Sequence, residues 1–313
     1  MAQFISFGGE DEVPVTSWLW HGLLAPGKIT LLTSLWKSGK STLLAHFLAH
    51  RRRGRDFFGL ATTPGATIVV SEEGKDLWPM RRRRLGIGGE LGVMERPFVG
   101  CRPTLTELRD LNQQILDLKA EHGVNLVVFD SLATFLPAST ENNSEVVLGA
   151  MAPFVALAEA GLAVLLPHHP TKGEPKLGQA ARGSGALMAA SDIILEMRHP
   201  GGNPWTRRRK LFGWSRHDET PREMLIELSP DGRTYERLAD AGDDFHEHWD
   251  LIRIVLRESR EPLTRQEIRA AWPVQRKPDS TSLWRWLERA VEHGLCIRTG
   301  KGTKTEPYRF ALG

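Results

Sequence analysis

Residues 31–43 read LLTSLWKSGKSTL. An apolar run over 28–33 enters a polar turn, and from 41 to 49 apolar side chains recur on one helical face. A buried strand that feeds a loop and then a helix N-terminus aims backbone N–H groups at an anion. In the pattern G-x-x-x-x-G-K-[ST] those groups cradle phosphates, the lysine reaches the β and γ phosphates, and the hydroxyl ligates Mg²⁺. Gly39, Lys40 and Ser41 fill the last three places, and Ser34 stands where the first glycine is expected. Serine is small enough to turn there, and the strand-loop-helix context supplies what a strict match lacks. Lys37, Ser38, Gly39, Lys40, Ser41 and Thr42 are therefore the expected nucleotide-binding residues, with ATP and Mg²⁺ as cofactors and Ser41 as a metal ligand.

Further strand-like runs lie at 66–70, 124–129 and 162–166, with helical patterns at 105–121, which opens with a Thr-Glu capping signal, and at 144–160. Strands rich in Val, Ile and Leu that alternate with helices predict a parallel sheet buried on both faces. Asp130 ends the run 124–129, where a carboxylate can hold Mg²⁺ or its water. Its bland reading is a turn residue. Glu72 ends the run 66–70, which is expected to neighbour the strand of residues 28–33. A carboxylate there can orient and deprotonate a water, with Glu73 as the substitute and helix capping as the ordinary alternative.

After residue 190 the pattern changes. Runs at 193–196, 208–213 and 222–228, joined by turns at 200–203 and 217–221, predict antiparallel strands at the sheet edge. A polar linker is expected at 239–245, dividing a domain of residues 1–238 from one of 246–313. The second shows helices at 248–258, 264–271 and 280–293 and a hairpin over 296–311 with Gly300 and Gly302 near its tip. Three helices and a hairpin predict a winged helix-turn-helix. Ser282, Arg285 and Arg289 are expected to face outward, with Arg298, Lys301 and Lys304 on a basic wing. A protein-contact role fits the same pattern.

The 313 residues, 41% of them hydrophobic, suffice for a core of ordinary size. No apolar run is long enough to cross a bilayer, and residues 1–11 lack the pattern of a signal peptide, so a cytoplasmic protein with no membrane contact is expected. Cys101 and Cys296 are too few for a disulfide framework. The net charge of +3 conceals basic runs at 51–53, 81–84 and 207–210, which suit phosphates or a solvated helix face. Of the ten tryptophans, Trp249, Trp272, Trp284 and Trp286 fall on helices where packing explains them, and none is assigned to base stacking.

The chain resembles RecA-like ATPases of the RepA type, relatives of hexameric plasmid replicative helicases and, more distantly, of DnaB and KaiC. The resemblance spans about residues 15–230. It is carried by WLWHGLLAPGKITLL, IVVSEEGKDLWPMRRRRLG, LVVFDSLATFLP and LLPHHPTKG followed by ARGSGALMAASD. It implies Glu72 as catalytic base and His168 with His169 as sensors of the γ-phosphate, against a metal-binding alternative for that pair. It also implies a DNA-contacting loop at 171–182 and a ring, most simply a hexamer, with single-stranded DNA in its channel. Arg216 resembles the residue that completes a neighbour's site, with Arg207, Arg208 and Arg209 as competitors. The function so implied is an ATP-driven motor on DNA, helicase-like or remodelling. The alternatives are an ATP-switched DNA-binding regulator and an adaptor that loads other proteins.

Overall fold

The computed structural model describes residues 16–136, 144–169, 185–203, 205–238, 245–275, 277–303 and 305–313. The expectations for the N-terminal stretch, the loop 171–182, the linker 239–244 and Lys304 fall outside them.

Six strands run parallel: β1 (Ile29–Ser34), β2 (Ala66–Ser71), β3 (Leu91–Glu95), β4 (Val124–Asp130), β5 (Ala163–His168) and β6 (Ile193–Arg198). Three antiparallel strands extend the sheet, β7 (Arg208–Ser215), β8 (Glu223–Leu228) and β9 (Tyr235–Leu238), in the order β3-β2-β4-β5-β1-β6-β7-β8-β9. Successive strand residues face opposite sides of a sheet. Leu32, Val69 and Val128 therefore pack with Leu43, Leu44 and Phe47 of α1 (Lys40–Arg51). Leu31, Val70 and Val127 pack on the other face against Leu108 and Ile115 of α3 (Leu105–His122) and Phe154 of α5 (Ser144–Glu159). Burial on both faces is why these strands read as unbroken apolar runs rather than as alternating ones. The Thr104 hydroxyl and Glu107 carboxylate close the capping box that starts α3.

The order corrects two expectations. β2 does not neighbour β1, because β4 and β5 lie between them, so Glu72 sits beside Asp130 rather than beside the loop. Residues 193–196 belong to β6, which runs parallel to β1, so the antiparallel edge begins only at β7 and consists of β7, β8 and β9. Six elements carry too little pattern to be predicted. β3 and β9 are short edge strands with little apolar pattern. The helix α2 (Leu77–Leu85) is arginine-rich, and α6 (Gly185–Ala189) and β10 (Leu263–Thr264) span five and two residues. A four-residue helix, α4 (Leu132–Phe135), follows β4.

The C-terminal elements are α7 (Phe245–Glu258), β10, α8 (Arg265–Ala270), α9 (Ser280–Glu292), β11 (Cys296–Thr299) and β12 (Arg309–Leu312), with sheet order β10-β12-β11. Ile252, Ile268, Leu283, Trp286 and Phe310 form a separate core. Phe245, assigned to the linker, is instead a buried member of that core, because it opens α7. Between β11 and β12, Gly300 has φ 88°, and a Cβ there would lie 2.3 Å from the Pro307 carbonyl oxygen, so the turn requires glycine. The β11–β12 hairpin is less basic than its sequence suggests, since Arg298 pairs with Glu288 and Lys301 with Glu306 at 2.9 Å. Among the described residues no helix is long and apolar enough to cross a membrane.

Candidate nucleotide site

The parallel strands bring Ser34, Ser71, Asp130 and His168 to one edge of the sheet, since Thr33 pairs with His168 and Ser71 with Asp130 in register. The carboxyl ends of parallel strands are where open α/β sheets bind ligands. Here the loop after β1 meets the N-terminus of α1. Gly39 caps that helix with φ 101°, a left-handed conformation that glycine adopts without penalty. Lys37, also left-handed at φ 58°, is exposed and lays its ammonium over the Trp36 ring at 4.4 Å, so its backbone rather than its side chain lines the loop. Ser41 and Thr42 are half-buried on the first turn of α1.

Lys40 is buried at 5% exposure and donates to the Ser34 hydroxyl (2.9 Å) and carbonyl (3.1 Å), with His169 Nδ1 also at 2.9 Å. The Ser34 hydroxyl is thus more than a tolerated substitute for glycine, as it also accepts from Ser38 Oγ at 2.6 Å. Burial brings the Lys40 pKa down to about 8, opposed by the charges of Asp130 and Glu72. Burial, then the Lys40 charge, lowers that of His169, which leaves the imidazole neutral.

Burial raises Asp130 to about 6, and a hydrogen bond from Ser41 works the other way. Asp130 Oδ2 is buried with no hydrogen-bond partner. A buried carboxylate oxygen left unpaired beside a serine hydroxyl is a donor set that fits a hard divalent cation such as Mg²⁺. Ser41 and Asp130 are the residues that would hold it.

Glu72 follows β2 and accepts hydrogen bonds from Ser131 Oγ (3.2 Å) and from the Thr134 hydroxyl. Its backbone N–H donates to the Asp130 carbonyl at 2.8 Å. Glu73 is not available as the substitute, because Arg81 grips both its carboxylate oxygens while stacking over Trp78. Trp78 in turn donates to Ser71 Oγ at 3.2 Å.

Arg209 corrects another expectation. It lies on the chain's own phosphate loop, donating through Nε to the Ser38 carbonyl at 2.7 Å, and is therefore no candidate for reaching a neighbour. Tyr235 of β9 supports the same loop, its hydroxyl 3.7 Å from where a Cβ on Gly39 would stand. Arg208 pairs with Glu227 at 3.5 Å. Arg216 is exposed at the far end of β7, since β7 runs antiparallel from Lys210 beside Arg198 to Ser215 beside Ile193. The sequence offered Ser131 and Thr134 as hydroxyls just after a strand-ending carboxylate. Tyr235 gave no local signal, and the basic run that holds Arg209 did not say which loop it meets, because the two come from strands about 170 and 200 residues beyond the loop they brace.

No curated protein matches the chain. The model of a family described as the AAA domain matches residues 3–175, more than half of the 313, and takes in Lys40, Glu72, Asp130 and His169. A phosphate-binding loop between β1 and α1, a carboxylate at the end of β4 and a second carboxylate beside it agree with that match, and the chain belongs to the AAA domain family, as a P-loop ATPase-type protein.

Proposed function

We propose that the protein is an ATP-hydrolysing, Mg²⁺-dependent motor of the RepA type that assembles into a ring and works on DNA, with helicase-like or remodelling activity. The reading is carried by the convergence on one sheet edge of Lys40, Glu72, Asp130 and His169, each at or just beyond the end of a different strand. The loop N–H groups and Lys40 bind the β and γ phosphates. Ser41 and Asp130 would hold Mg²⁺, which when bound would neutralise phosphate oxygens. Glu72, held by Ser131 and Thr134, orients the attacking water and takes its proton. With Nδ1 accepting from Lys40, the neutral His169 ring carries its proton on Nε2, and that N–H is its donor for the γ-phosphate.

The C-terminal unit is read as a winged helix. Its helices and three-stranded sheet suit that reading, and its paired wing charges favour a modest duplex contact over a strong one. The test is the ATPase rate with and without single-stranded DNA, on material whose oligomeric state is measured by light scattering. Stimulation confined to a ring supports the motor. A monomer hydrolysing ATP at a rate indifferent to DNA refutes it.

A further inference from the structure

The strand that braces the phosphate loop also builds a second concavity. Trp205, Thr206 and Arg207 lead into β7, and with α7 they wall a cleft of about 520 Å³. The 3-10 turn Pro200–Gly202, between β6 and β7, packs against α7 and ties the two walls together. Trp205 stands 64% exposed at this cleft, while the buried Asn203 accepts the Trp205 backbone N–H at 3.0 Å. Most of the acid in the cleft is already matched, Asp250 by Arg253 at 3.1 Å and Glu227 by Arg208 at 3.5 Å. Among the described residues no carboxylate pairs with Arg207 or Arg257, and Glu258 is the one remaining acid of the lining.

An exposed indole beside two such guanidinium groups is the chemistry of a nucleobase with its phosphate. The ring stacks on any base, and guanidinium forks match phosphate oxygens. The volume lies within the range of small-molecule sites. From the cleft a short path leads to the ATPase centre, for the Thr206 carbonyl accepts from Arg209 Nη1 at 2.6 Å and Arg209 Nε donates to the Ser38 carbonyl at 2.7 Å.

We infer that the cleft of Trp205, Arg207 and Arg257 binds a nucleobase bearing a phosphate, and that Arg209 passes its occupancy to the phosphate loop. A nucleic-acid strand and a free nucleotide share this chemistry, and the assignment to a strand rests on the DNA reading above. The experiment uses the full chain, a bromodeoxyuridine-substituted oligothymidylate for photocrosslinking, and thymidine monophosphate as competitor. The expected result is a crosslink at Trp205. Trp205→Ala and Arg257→Ala should each weaken oligonucleotide binding about tenfold, and DNA-stimulated turnover should fall while basal hydrolysis persists. Competition by thymidine monophosphate would keep the site and reassign its ligand to a free nucleotide. Full oligonucleotide affinity in both variants, with the crosslink elsewhere, overturns the cleft and leaves the motor reading standing. Wild-type protein that binds neither probe overturns both.

Discussion

Nζ of Lys40 lies 2.9 Å from Nδ1 of His169, a contact that joins the loop after β1 to the residue after β5 across 129 positions of sequence. The imidazole is neutral and accepts from the ammonium, so a phosphate that claims the Lys40 protons competes with this contact. Lys40→Ala removes the ammonium and with it two charge-assisted hydrogen bonds to phosphate, which predicts a loss of about 100-fold in ATP affinity with an unchanged circular-dichroism spectrum. His169→Ala should leave binding within about threefold and lower kcat by about tenfold or more. Near-normal hydrolysis in Lys40→Ala would refute the loop assignment.

Ser34 makes a prediction of opposite sign. Its hydroxyl holds Lys40 and Ser38, contacts that phosphate must displace. Ser34→Gly, which restores the usual motif, should lower the KM for ATP several-fold and lower Tm, because an interaction made only before binding opposes binding. An unchanged KM would show that the Ser34 carbonyl alone positions the lysine.

Glu72→Gln keeps the shape of the carboxylate and loses the base. ATP should bind with ordinary affinity and remain unhydrolysed, as filter binding and single-turnover assays would report. Thr134→Ala releases one oxygen of Glu72, and kcat should fall while the Kd for ATP holds, with Thr134→Ser restoring most of the rate. Loss of hydrolysis in Glu73→Gln but not in Glu72→Gln would move the base by one residue.

His46 is 2% exposed on α1 and packs edge-on against Tyr235, and burial depresses its pKa to about 4. The unfolded chain takes up this proton near pH 6.5, before the folded chain does. The stability it contributes is therefore complete above pH 6.5 and is lost as pH falls toward 4. His199, held to about 4 by burial and by Arg209, adds in the same direction. Urea melts between pH 7 and 4.5 should lose up to about 3 kcal/mol per histidine. His46→Gln should flatten that slope, and an equally steep slope in the variant would show that His46 is not its source.

The central parallel strands β1, β2, β4 and β5 were legible because each is buried on both faces and so carries an unbroken apolar signature. Lys40, Asp130 and Glu72 were legible because each ends or follows such a strand. The edge strands β3 and β9 were not, since LGVME and YERL have little to bury. Neighbour relations were equally hidden. No local pattern says that β4 and β5 separate β2 from β1, or that Arg209 folds back on Ser38, because both follow from the order of strands in the assembled sheet.

That order also shapes the test of Arg216. Arg209 touches the phosphate loop, and Arg216 stands seven residues further along β7, about 24 Å away at the rise of an extended strand. Arg216 therefore cannot serve its own site, and any role at a phosphate is at a neighbour's. Arg216→Ala and Glu72→Gln should each abolish hydrolysis in homogeneous oligomers, since a finger of this kind contributes about 10³ or more in rate. Mixed under conditions of subunit exchange, the two inactive variants should regain activity at interfaces where an intact Arg216 meets an intact Glu72. Recovery should follow the mixing ratio with a maximum near equal proportions, where such interfaces are most numerous. Freely exchanging oligomers that stay inactive at every ratio would exclude Arg216.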